Sequence, residues 1–486
     1  MTREDSPRRR FKPLDPLADG WVIEFYGLRH RPGGRVLPAP RALDARAVDE
    51  PVRAELAVRH HERPRISLAA PDGSALRSRG QVFLEGVGMI RSSTVRAVNA
   101  LTARWAAALP EGGTAFTTAG VWPLLALLAD GATAAVRTEL ADAIGIPADR
   151  AAGEARGLLA AIDAMPGVQG ALGLWTHEAL PIERSWLAAL PERVHGQLTG
   201  DAASDQARLD AWAATCTGGQ IPSMPVTVGK DTQLVLASAL TVRTDWIRPF
   251  EPGGLEAAAG PWRGRDLAGL FRVTALLDRV GVTRTPTGPV TVLHVLGAQG
   301  VDVHLFLGTE DAQPGQVLAA AVRTLDNRRT VLPGGQLPDG APGPGLTVER
   351  VPSLDGESKL VVETVPFTVT ARHDLLEAPE LFGLRTATDG TRGHFPGISA
   401  EPLAVEAAAQ TVTATFGARG FRSASVTALS VAGAGLPPRY RYRARVISAR
   451  FDRPFGFLAV HRTSRLVLNA GWITEPDAFE ESSGEW

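Results

Sequence analysis

Apolar residues recur along this chain with two periods, and the change from one to the other divides it. Val95, Val98, Leu101, Trp105 and Leu109 fall three and four residues apart, which predicts an amphipathic helix ending at Pro110. Val121 to Leu128 is apolar nearly all round. With Thr117 and Thr118 as caps and Gly131 as its close, it reads as a helix that must be buried. A third helix runs from a Thr133 cap to Ile144 and Gly145, and a fourth from about Ala148 to Met165 with an exposed Arg/Glu face. Val168 to Thr176 alternates as a strand, Ile182 to Leu190 is a short helix, and Ser204 to Cys216 is a helix with Leu209 and Trp212 on its apolar side. Thr232 to Val242 is β-rich and apolar on both faces, the pattern of a central strand covered on both sides.

Beyond this point period two dominates. Val290 to Val295 and Val301 to Leu307 are strands, followed by a helix at about 315–325 and a Pro/Gly-rich loop at 333–345. KLVVETVPFTVTARHDL reads as one long strand, and the helix EAPELFGL and the turn TDGTRGHFPGIS follow it. Residues 402–416 fit a strand or a helix. RYRYRARVISARF is a closing strand, and PFGFLAVHRTSRLVLNAGWI a closing hairpin. Helices first and strands later predict the α+β class: a helical N-terminal half packed on large, mostly antiparallel β-sheets.

One stretch fits neither half. Gly417 to Pro438, GARGFRSASVTALSVAGAGLPP, is longer than a loop in a compact domain needs to be. Yet it alternates. Extended, it puts Phe421, Ser423, Ser425, Thr427, Leu429 and Val431 on one face. It reads as a loop that can become a strand.

Composition narrows the classes of function. Of 486 residues, 44% are apolar and 21% charged, which gives a large core, and the net charge of −1 offers no basic field for nucleic acid. Cys216 is the single cysteine, so neither a disulfide framework nor a cysteine-rich metal site is expected. No apolar run is long enough to span a membrane, and no signal peptide is visible, which favours the cytoplasm over an extracellular location. Residues 1–88 carry 16 Lys/Arg against 12 Asp/Glu and many prolines, with WVIEFY as their one plausible strand. They read as a disordered basic extension or an upstream mis-called start before Met89. Residues 89–479 form the folded domain and 480–486 an acidic tail. There is no phosphate-binding or dinucleotide-binding glycine motif, no nucleophile elbow and no metal-ligand spacing, so no enzyme, cofactor or metal is indicated. Arg439, Arg441, Arg443 and Arg445 would share one face of a strand, read here as the solvated, charge-protected face of an edge strand.

Local motifs in order along the chain resemble the serpin family, as a bacterial-type member. Phe116-Thr-Thr-Ala-Gly120 is similar to the family's F-S-P-x-S. LDAWAATCTGGQI matches its I-N-x-W-V-x-x-x-T-x-G-x-I at Trp212, Thr217, Gly219 and Ile221. DTQLVLASALTVRTDWIRPF matches at Leu234, Val235, Leu236, Ala239, Trp246, Pro249 and Phe250. HFPGIS, DRPFGFLAV and AGWITEP stand where serpins have D-F-S-G-I-S, H-P-F-L-F and G-R-V-x-x-P. The resemblance covers about Val95 to Pro476.

It implies that the over-long stretch is an exposed reactive-centre loop, bait for a serine protease that is trapped as an acyl-enzyme when the cut loop inserts into the main sheet. Gly420 falls on the hinge glycine, with Phe421 after it where the family has a small residue, and Ser423, Ser425 and Thr427 turned inward. The bulk of Phe421 is expected to hinder insertion. The family's hinge-to-bond spacing, counted from Gly420, places the cleaved bond at Ala434–Gly435. An Ala there suits an elastase-like or subtilisin-like protease with a small primary pocket. The residues where the sheet opens would be Thr117, Gly120, Ser238 and Gln410, with Trp246 nearby. The resemblance implies a monomer with a protease as its partner, no nucleic acid and no membrane. The alternative it leaves open is a non-inhibitory serpin-fold binding protein.

Overall fold

The computed structural model describes residues 90–191, 194–224, 226–326, 330–421 and 441–479, together with two short strands near the N-terminus. The chain divides into two units, Met1–Glu85 and Gly86–Trp486. In the first, β1 (Val22–Phe25) pairs antiparallel with β2 (Ile66–Ala69). Val22–Phe25, within WVIEFY, is thus a strand, and its partner ISLA is a second strand that periodicity did not single out.

The second unit begins with helices. They are α1 (Ser92–Ala107), then β3 (Thr114–Phe116), α2 (Thr118–Gly131), α3 (Ala134–Ile144) and α4 (Ala148–Asp163). In α2 every residue but Asp130 is buried or nearly so, as its all-round apolar sequence requires. The threonines before α2 and α3 make no side-chain cap, and Gly131 closes α2 without a left-handed turn, whereas Gly145 ends α3 at φ 71°. Along α4 the expected exposed Arg/Glu face is interrupted. Glu154 is buried and accepts from Arg91, Arg150 and Thr94. Burial pushes its carboxyl up, and the three hydrogen bonds together outweigh that and hold it below its ordinary value.

Next come β4 (Val168–His177), α5 (Arg184–Ala189), β5 (His195–Leu198), α6 (Ala202–Cys216, capped by Asp201), β6 (Leu234–Val242), β7 (Thr244–Asp245), β8 (Glu251–Glu256), β9 (Asp266–Thr274), β10 (Val280–Thr285), β11 (Gly288–Val295), β12 (Val301–Leu307) and α7 (Pro314–Asp326). The C-terminal third adds β13 (Val331–Pro333), β14 (Leu346–Ser353), β15 (Lys359–Thr364), β16 (Phe367–Asp374), the single turn α8 (Pro379–Phe382), β17 (Ala407–Phe416), β18 (Gly420–Phe421), β19 (Tyr442–Arg450), β20 (Phe455–His461) and β21 (Val467–Ile473). Three sheets result. One runs β13-β10-β11-β12-β20-β21-β3, a second β14-β19-β15-β9-β8, and the main sheet β5-β4-β6-β17-β18-β7 with β16 on the far edge of β17. Most pairs are antiparallel; β4–β5, β6–β17 and β15–β19 are parallel. The fold is α+β, as the patterning predicts.

Two expectations are corrected. KLVVETVPFTVTARHDL is not one strand. It breaks at Val365-Pro366, so β15 joins the second sheet and β16 the main one. Pro366 has no N–H to continue a ladder, and the chain uses that break to change sheets. Nor is the arginine strand an edge, because β19 lies between β14 and β15. Arg443 donates to the Arg350 carbonyl at 2.9 Å, and Arg445 to Asp339 at 3.0 Å and to the Leu337 carbonyl. Arg439 lies outside the described residues.

The all-buried β6 shows why its sequence is apolar throughout. Leu234, Leu236 and Leu240 enter the main core, while Val235, Ala237 and Ala239 enter a second cluster with Leu209 and Ala213 of α6. Each leucine so buried is worth about 1.5–3 kcal/mol relative to exposure. This anchors β6 as the fixed strand beside which the functional site opens.

Candidate functional site

β6 and β17 run parallel and share five register pairs, from Val235↔Ala407 to Ala239↔Thr411. There they part. β6 continues to Val242 and β17 to Phe416, but no pair joins the two over that length among the described residues. Among the described residues the main sheet therefore has an opening here, flanked by two extended backbones.

At the point of parting, Gln410 (0% exposed) lies opposite Ser238 (1%) in the ladder. Its Oε1 accepts the Thr117 N–H at 2.8 Å, and its Nε2 donates to the Thr117 carbonyl at 2.8 Å and to Ser238 Oγ at 3.4 Å. One side-chain amide thus satisfies both backbone groups of the residue that leads into α2, a task no hydrophobic side chain could perform. Gly120 permits the close approach of α2 to β6, since a Cβ there would stand 2.3 Å from Ser238 Oγ. The structure therefore brings together Thr117, Gly120, Ser238 and Gln410. Thr117 Oγ1 and Thr411 Oγ1 are buried at this point without a hydrogen-bond partner.

A fifth residue here went unnoticed in the sequence. His373 of β16 pairs with Gln410 across the strand, donates through Nε2 to the Ala115 carbonyl at 2.9 Å, and lies against Trp105. Burial pushes its pKa below the ordinary 6.5 even though its bond to Ala115 pulls the other way. The available signal was the alternation of FTVTARHD, in which exposed positions interleave with less exposed ones that include Val369, Ala371 and His373.

Trp246 is not part of this group. It stands at the far end of the opening, where β17 ends and the chain turns back. Trp246 Nε1 donates to the Gly417 carbonyl at 2.8 Å, its N–H to the Arg419 carbonyl at 2.8 Å, and the Phe250 N–H to the Ala418 carbonyl at 2.8 Å. A Gly417 N–H to Gly420 carbonyl bond of 2.9 Å closes the turn. β18 then lies antiparallel to both neighbours, with Phe421 opposite Phe416 and Thr244, and Gly420 opposite Asp245.

This changes the reading of the two hinge residues. Phe421 does not wait outside the sheet as an obstacle. Its ring is 1% exposed and lies 6.0 Å from that of Phe457, at the edge of an aromatic cluster that includes Phe416 and Trp246. Gly420 has no positive φ. What demands glycine is contact, because a Cβ there would meet the Thr244 carbonyl oxygen at 2.5 Å. Ser423, Ser425, Thr427, Ala434 and Gly435 lie outside the described residues. Among the described residues no group of three or more His, Cys, Asp or Glu is placed to hold a metal, and no helix is long and apolar enough to cross a membrane.

Residues 94–258 match the family model described as Serpin (serine protease inhibitor). No curated protein matches in sequence. Among solved structures, human thyroxine-binding globulin in complex with thyroxine is 16% identical with a TM-score of 0.62, over 80% of this chain and 100% of that one. Native protease nexin-1 with heparin is 18% identical with a TM-score of 0.60, over 79% and 99%. Mouse protein-Z-dependent protease inhibitor is 13% identical with a TM-score of 0.59, over 80% and 97%. The fold is the serpin fold, and the family-model match over residues 94–258 agrees with it. The comparisons do not bear on the expectation of a bacterial-type member.

Proposed function

We propose that this protein is a suicide inhibitor of serine proteases, with 422–440 as its bait and Ala434–Gly435 as the bond attacked. The observation that carries this reading is the opening between β6 and β17, into whose far end the chain already turns as Gly420–Phe421. A strand continuing from Phe421 would run antiparallel to both walls, the pairing already made by its first two residues. The small side chains of Ser423, Ser425 and Thr427 suit passage over a buried surface. The target is a protease with a small primary pocket, elastase-like or subtilisin-like. Incubation with such proteases and a trypsin-like control is expected to give an SDS-resistant complex and to release a C-terminal fragment beginning at Gly435. Cleavage at that bond without a complex would overturn inhibition.

A second reading, a serpin-fold binding protein without inhibition, is favoured by one observation. Phe421 is buried among aromatic rings, so the hinge is held by more than its backbone. One structural neighbour is a thyroxine-binding globulin, and another is a protein-Z-dependent protease inhibitor.

A further inference from the structure

Arg272 of β9 carries a largely buried charge that no carboxylate among the described residues answers. Its Nε and Nη2 are buried and have no hydrogen-bond partner, and its guanidinium lies 3.6 Å over the ring of Phe250. The charges that act on it are both positive, Arg248 and Arg279; burial first and then these two push its pKa down to about 10. The carboxylates felt by Arg279 are committed elsewhere. Asp302 holds Arg462 at 2.6 Å, and Asp278 accepts the Gly335 N–H at 2.9 Å. Arg248 reaches no carboxylate either; it donates to Thr274 Oγ1 at 3.3 Å.

All three arginines line one half-open cavity of about 50 Å³ between β9, the end of β11, β15 and the segment 247–250. Its remaining walls are mostly apolar, Leu293, Val295, Leu360 and Val362 among them, with Thr274 and His294 as the polar exceptions. Buried charges are ordinarily paired, because leaving one unpaired costs several kcal/mol. The stacking on Phe250 offsets part of that cost but leaves two N–H groups without an acceptor. The space exceeds what one water needs, roughly 10–15 Å³, and falls well short of the ~150 Å³ that holds a benzene ring.

We propose that this cavity is a binding site for one small oxyanion of the sulfate, phosphate or short-chain carboxylate class. Arg272 is the principal donor through its two free N–H groups, and Arg248 and Arg279 supply flanking charge. One wall, Phe250, also holds the Ala418 carbonyl, so the site adjoins the segment that anchors the hinge.

The test is a thermal-unfolding titration with sodium sulfate at constant ionic strength, chloride being exchanged for sulfate, on the full chain and on Arg272→Met. The wild type is expected to show a saturable rise in midpoint. Arg272→Met is expected to show only the shallow, unsaturating rise that sulfate gives any protein by exclusion from its surface. Without sulfate, Arg272→Met is expected to be at least as stable as the wild type, because it removes an unpaired buried charge. Arg248→Gln, which leaves the Phe250 stacking in place, is expected to raise the half-saturating sulfate concentration about tenfold. Identical, unsaturating rises in wild type and Arg248→Gln would overturn the proposal. So would a large loss of stability in sulfate-free Arg272→Met, since the guanidinium would then have a protein partner. None of these readouts involves a protease.

Discussion

Gln410 shows how one side chain holds together a place where a sheet stops being a sheet. It occupies both backbone groups of Thr117 and reaches Ser238, all in a fully buried setting. Gln410→Leu keeps the volume and removes the bonds. It leaves a buried N–H and a buried carbonyl unpaired and is expected to cost about 2–4 kcal/mol in urea unfolding. Gln410→Glu retains an acceptor for the N–H and should fall between the two. His373, across the ladder from Gln410, predicts a pH dependence. Its folded pKa is depressed by burial, so between that value and 6.5 the unfolded chain binds a proton that the folded chain does not. Stability contributed by neutral His373 is therefore full above about pH 6.5 and falls as the pH drops toward the folded value. His195 and His461 are depressed by burial as well, so they add to the same fall. His373→Gln, which can still donate to the Ala115 carbonyl, is expected to flatten the decline in urea midpoint below about pH 6.5 without abolishing it. An unchanged slope would show that His373 is not one of the groups that set it.

At the scale of elements, the β17–β18 hairpin is the part through which the proposed inhibition would work, and two residues fix it for different reasons. Phe421→Ala empties a buried ring site and is expected to cost about 3 kcal/mol, the lower end for such truncations. It should also free the hinge, seen as faster proteolysis within 422–440. Gly420→Ala drives a methyl into the Thr244 carbonyl and should release the same hairpin while Phe421 stays intact. What could be read from the sequence follows from how local each cause is. β6 was legible because its burial on both faces is written in its own residues. The break at Pro366 is also written locally, yet strong alternation on either side of it concealed a change of sheet. The docking of Phe421 could not be read, because it depends on Phe457 and Thr244, distant in sequence and brought together only by the fold. For the same reason the four residues at the opening came from a family resemblance rather than from any spacing of their own.

The whole molecule is defined by what its main sheet leaves unmade. Five pairs close β6 on β17, and beyond Thr411 no further pair joins them among the described residues. A strand laid in the opening would add a ladder on each wall, each bond of which is worth about 1 kcal/mol net. The intact loop is tied at Phe421 on one side and at β19, in the second sheet, on the other. Both ends cannot enter the opening while the chain is continuous. A single cut within 422–440 removes the second tether and leaves the segment after Phe421 free to extend the antiparallel pairing that Gly420 and Phe421 have begun. Limited proteolysis there, with both fragments kept associated, is therefore expected to raise the thermal midpoint by more than about 10 °C, the equivalent of several kcal/mol for a chain of this size. On the inhibitor reading, the intact protein should in turn unfold with a scan-rate-dependent midpoint, the mark of a native state held by a barrier. If the nicked and intact proteins melt together, the sheet does not open to admit the loop, and the binding-protein reading takes the place of the inhibitor.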